Sequence, residues 1–148
     1  MEASCALFLL TRPYKFRGHT YMDAVLVDMI PIEQSIRQGN TKHLFISTKE
    51  ENYVRKPAPG WQIQLAKLMY PGNKTIRENL KIRHINYQKQ WPIVKELEEQ
   101  GNAIVLRPSA DYGVTRYTHD KELLGRWFDL GYEDTKNRLD MIREFMEK

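Results

Sequence analysis

The chain has 148 residues, enough for one domain with a substantial core, and its 41% hydrophobic and 28% charged content is that of a globular protein. No apolar run approaches the roughly 20 residues that span a bilayer, which excludes a membrane-crossing helix. The net charge of +4 is uneven, with six Lys/Arg against one Glu in residues 73–95 and eight against twelve acidic residues in residues 96–148, so attraction for phosphate-bearing partners belongs to the middle of the chain.

Near the start, Ala6 to Leu10 is apolar but follows Glu2 and stops at Arg12-Pro13, which does not make a secretory leader. The single cysteine, Cys5, excludes an intramolecular disulfide and suits a reducing cytoplasm; beside the apolar segment it reads as a buried thiol. Tyr14-Lys15-Phe16 and Thr20-Tyr21-Met22 flank Arg17-Gly18-His19, the pattern of a tight hairpin. Its second strand runs on toward Val27 and delivers Asp23. Pro31 fits the first turn of a helix over Pro31 to Gln38, stopped by Gly39-Asn40, and Leu44-Phe45-Ile46 is a short apolar strand of the parallel type. Strand, helix and strand in that order predict a right-handed parallel crossover.

A polar loop from Lys49 to Gly60 follows. Trp61, Leu65, Leu68 and Met69 then recur at helical spacing, and their expected use is core packing; the alternative, aided by Lys67, is an amphipathic face laid on a membrane. A longer helix spans Thr75 to about Gln100 with a kink or break at Pro92, and Gly101-Asn102 ends it. Ala103 to Leu106 is a further strand. Asp120 caps a helix that ends at Gly131, and Glu133 to Glu147 forms the last one.

The segment from Glu2 to Ser47, with Ala3, Ser4, Ala6, Tyr21, Asp23, Asp28 and Pro31 in register, resembles the part of patatin-like phospholipases that carries the aspartate of their Ser-Asp dyad. Ala24 and Val25 replace the two small motif positions, and Phe8 stands where that family has proline. Residues 83–109 and 118–135 resemble the C-terminal region of a bacterial subgroup. The resemblance implies an α/β fold, the C-terminal part of a patatin-like α/β/α architecture. Its sheet would be short and mostly parallel, from strands near Tyr21 to Val27, Lys42 to Ser47 and Ala103 to Arg107, with a helical C-terminal region. Residues 1–58 would end the catalytic core, and residues 59–148 would form a mainly helical region with one further strand. The chain opens at Met1, two residues before the turn, and none of Ser4, Ser35, Ser47 and Ser109 is flanked by glycines as a nucleophile elbow requires. The expectation is therefore the C-terminal portion of a lipid acyl hydrolase, inactive alone.

Asp23 is the candidate catalytic residue, as the dyad's proton acceptor by that resemblance; such a carboxylate must reach a serine hydroxyl beside an oxyanion hole. His19, His43, His84 and His119 lack the spacing of a helical zinc site and read as surface residues, so neither a metal nor a cofactor is expected. The expected partners are an acyl-lipid substrate once an N-terminal half completes the enzyme, a second copy or complementary chain, and an anionic membrane surface. An interaction module without catalysis is the alternative function. A nucleic-acid-binding domain built on Lys74, Arg77, Lys81, Arg83, Lys89 and Lys95 is the less favoured third.

Overall fold

The computed structural model describes residues 2–115 and 117–147; Met1, where the sequence reading places the start of a truncated enzyme, lies outside them. The fold is a helix-rich α/β arrangement with a short parallel sheet and a helical C-terminal region. The chain divides into two compact units, the first made of residues up to Gly39 with Val54–Ile93 and the second of Asn40–Tyr53 with residues from Val94 onward.

In the first unit a 3-10 turn at Glu2–Cys5 precedes an antiparallel hairpin, β1 (Tyr14–Phe16) and β2 (His19–Tyr21), with Tyr14 opposite Tyr21 and Phe16 opposite His19. Its two loop residues, Arg17 and Gly18, have φ of 48° and 77°, the doubly left-handed turn whose twist matches the flanking strands. The strand expected to continue to Val27 stops at Tyr21. A 3-10 turn over Ala24–Leu26 replaces it, because the Asp23 carboxylate takes the Val25 N–H and bends the chain out of an extended course. The predicted crossover from this strand is therefore absent from the described residues.

Helix α1 (Ile32–Arg37) starts after Pro31 and ends before Gly39, whose φ of 83° reverses the chain. Helices α2 (Gly60–Met69) and α3 (Lys74–Glu99) follow, and of the kink or break expected at Pro92 there is no break, since α3 continues through it. Leu26, Ala66, Ile76 and Leu80 form the core, with Phe8, Met22, Val25, Ala58, Ile63 and Tyr70 packed around them. Leu80 is wholly buried, so truncating it to alanine would cost about 2–5 kcal/mol.

The second unit holds β3 (His43–Ile46) and β4 (Ala103–Leu106), paired in parallel with His43 beside Ala103 and Ile46 beside Leu106. All four β4 residues are buried. The two edges of this sheet differ. On the outer edge of β4 the Val105 N–H donates to Glu98 Oε1 at 3.2 Å, and Arg138 Nη1 donates to the Val105 carbonyl at 2.6 Å. On β3, His43 and Ser47 donate to Asn102 and Leu106, so the ladder's alternation turns the Leu44 and Ile46 main chain outward, with no partner among the described residues. Helices α4 (Lys121–Lys136) and α5 (Leu139–Glu147) complete the unit. Asp120 caps α4 as expected, accepting from Glu122 and Leu123, but the helix passes through Gly131 and its negative φ to Lys136.

Candidate functional site

The local chemistry of Asp23 is that of a turn-former. Its Oδ1 accepts the Val25 N–H at 2.7 Å, and its own amide donates to the Ala6 carbonyl at 3.0 Å. The first is the local bond of an aspartate followed by a compact turn, and the second ties the turn to the segment that follows the first 3-10 turn. Of the other resembling positions, Asp28 accepts from the Gln90 side-chain amide, whose Oε1 in turn accepts the Ile30 N–H at 3.1 Å. Asp28 thus belongs to a buried polar clasp around α3.

Two sequence readings of single residues change. His43 is buried at 6% exposure because it opens β3, where its ring lies 6.3 Å from that of Phe45. Cys5 is exposed, since the 3-10 turn at Glu2–Cys5 buries none of its residues. No group of three or more metal-ligating side chains converges among the described residues.

The larger correction concerns α2. Its residues facing the core are Ile63 and Ala66, while Trp61 and Leu68 stand 62% and 78% exposed. Trp61, Leu65 and Leu68 are spaced i, i+4 and i+7, which places them on one face, and Met69, also exposed, borders it. The expectation that this stripe packs inward fails because Ala66, the smallest side chain available, lets the helix sit close on Leu26 and Leu80. The bulkier residues are left outside. Gln62 also faces inward, accepting from Arg83 Nη2 at 3.2 Å.

Beside that stripe lies a cleft of about 340 Å³ lined by Gln64, Lys67, Lys74, Arg77, Glu78 and Lys81. Four cations and one carboxylate face it, and Lys67, Lys74, Arg77 and Lys81 make no ion pair among the described residues. The first turn of α3 adds its amides to the same end; Asn73 Oδ1 accepts only the one from Ile76, at 3.3 Å. The cleft is therefore an electropositive depression bordered by exposed apolar side chains. Of the basic residues singled out in the sequence, Lys74, Arg77 and Lys81 gather here, and Lys67 joins them from α2. Arg83, Lys89 and Lys95 do not line it.

The small sheet, the long helix and the helical C-terminal end place the chain among helix-rich α/β proteins. Residues 73–147, just over half of it, match the family described as a domain of unknown function, DUF6363, and the chain belongs to that family. No curated protein matches it, and no solved structure does. The family found is not the patatin-like one, which overturns the resemblance read from Glu2 to Ser47 and from the C-terminal segments. In the segment from Glu2 to Ser47 a 3-10 turn takes the place of the strand expected beyond Tyr21.

Proposed function

We propose that this chain is an interaction module that docks on anionic membrane surfaces through α2 and the start of α3. The observation that carries the reading is the exposed Trp61 and Leu68, with half-buried Leu65 between them on one helix face, alongside the basic cleft of Lys67, Lys74, Arg77 and Lys81. Apolar and aromatic side chains gain by entering the boundary between headgroups and acyl chains, while neighbouring lysines and arginines attract anionic headgroups. An apolar stripe of this size bordering the cations favours a lipid surface over a nucleic acid. No helix among the described residues is long and apolar enough to cross a membrane, so α2 would lie in the interface. The inner leaflet, which is anionic, fits the cytoplasmic placement suggested by a lone cysteine.

Co-sedimentation with vesicles tests this. The full chain should bind phosphatidylcholine vesicles containing phosphatidylserine, with a blue shift of tryptophan emission that Trp61→Ala diminishes, and should bind neutral vesicles weakly. Equal binding to neutral vesicles, or binding unaffected by Trp61→Ala and Leu68→Gln, would overturn the reading. Salt-sensitive binding to DNA without vesicle binding would replace it with nucleic-acid recognition.

A further inference from the structure

The second unit contains a separate cleft of about 180 Å³ at the carboxyl ends of both parallel strands, where β3 leaves Ile46 and β4 leaves Leu106. In open parallel sheets ligands bind outside the carboxyl ends of the strands, the end on which this cleft lies. This one is slightly larger than a cavity of about 150 Å³ that accepts benzene. Its wall is Trp127, held by an edge-on contact with Tyr112 at 6.0 Å between ring centroids. Gly131, with no side chain and open space where one would begin, keeps the α4 side of the cleft clear.

The polar groups are fixed and of unequal sign. Asp134 also lines the cleft, but its Oδ2 accepts the Ser109 N–H at 2.8 Å. Arg138 is half-buried, and its Nη1 is anchored on the Val105 carbonyl at 2.6 Å, which orients the guanidinium without neutralising it. No carboxylate pairs with Arg138 among the described residues. Arg107 stands on the same rim, so the lining carries two guanidinium groups against one carboxylate. An oriented, unneutralised guanidinium next to a flat apolar wall recognises a carboxylate attached to a flat or apolar body, because the fork fits two carboxylate oxygens and the ring excludes water from the remainder.

We infer that this cleft binds a small carboxylate bearing an apolar or aromatic group, with the carboxylate on Arg138 and the apolar body against Trp127. A free acid and the C-terminal residue of a peptide share that chemistry. The inference does not depend on the membrane reading, which concerns other residues.

The test uses the full chain, isotope-labelled, titrated by NMR with benzoate, with benzamide, with an acetylated glycyl-phenylalanine and with its C-terminal amide. Benzoate or the free-acid peptide should shift the Trp127 indole N–H saturably with a dissociation constant of about 1 mM, and the uncharged analogues should bind about tenfold more weakly or worse. Preference for benzoate identifies a free acid as the source, and preference for the peptide identifies a chain terminus. Arg138→Gln should abolish the discrimination between acid and amide. Because Arg138 also supports β4, Trp127→Leu provides a second reading: it should remove the preference for benzoate over acetate while leaving the β3 and β4 amide signals in place. No saturable shift with any acid, or equal binding of benzoate and benzamide, would overturn the inference.

Discussion

Gln90, buried midway along α3, accepts the main-chain N–H of Ile30 across sixty positions of sequence while its amide nitrogen donates to Asp28. One side chain thereby satisfies a buried amide and a carboxylate in the segment leading to α1. Replacing it with leucine keeps the bulk but strands the Ile30 N–H, which should cost about 1–3 kcal/mol. Urea denaturation of Gln90→Leu should show the midpoint fall with an unchanged slope; an unaltered midpoint would mean that water replaces the bond.

The role assigned to Asp23 predicts a distinctive pattern of substitutions. Asp23→Ala removes the acceptor of the Val25 N–H and should destabilise the first unit by about 0.5–2 kcal/mol, whereas Asp23→Asn, which still offers an oxygen, should retain most of the stability. Thermal unfolding of the two variants separates them. Equal loss in both would show that charge at Asp23, and not its capping bond, is what matters.

Asp120 receives two amides at the start of α4, from Glu122 at 3.0 Å and Leu123 at 3.1 Å. Asp120→Ala should cost about 1 kcal/mol, and hydrogen exchange should accelerate first at Glu122 and Leu123.

Tyr14 is expected to titrate above its ordinary value, because its hydroxyl hydrogen-bonds to Glu2 and the nearby carboxylate opposes a second negative charge; burial adds to the same direction. Its folded-state pKa is raised, so the contribution to stability is fully present below the unfolded value and is lost as pH rises through the raised folded value, in the alkaline range. Ultraviolet titration should show one phenolate transition missing from its high position in Tyr14→Phe and moved downward in Glu2→Gln.

For the membrane reading, each basic residue near an anionic surface contributes about 1 kcal/mol, or roughly fivefold in binding. The combined Lys74→Gln, Arg77→Gln and Lys81→Gln variant should therefore bind phosphatidylserine vesicles about a hundredfold more weakly, with a flatter salt dependence. Lys95→Gln, outside the cleft, should have little effect. A Lys95→Gln loss as large as that of Lys81→Gln would argue for diffuse attraction.

Local signals were legible in the sequence wherever a few adjacent residues decide the outcome. Arg17-Gly18 specifies the hairpin turn, the apolar runs around Phe45 and Val105 specify the strands, and Asp120 specifies a helix start. Which face of α2 turns inward was not legible, because periodicity gives a stripe but not its direction; close packing on Ala66 decided that. Gly131 misled for a related reason, since glycine permits a helix end without enforcing one. The turn at Asp23 was not legible, because the sequence there also suits an extended strand and the bond from the Val25 N–H to the carboxylate decides against it. The carboxylate cleft draws on residues from three separate stretches around Ser47, Arg107 and Arg138, and no spacing in the chain announces it. Its signal was confined to Trp127 and Arg138 lying eleven positions apart on and just beyond one helix.

Glu98 and Arg138 close one side of the two-stranded sheet at Val105, whereas Leu44 and Ile46 leave the other side bare. Such a sheet has a single direction of growth. Any added strand, native or adventitious, can be templated only along β3, and the side chains it meets first are Leu44 and Ile46, 43% and 78% exposed. Sticking between molecules should thus be governed by one four-residue edge, and a lysine at position 44 would be enough to silence it.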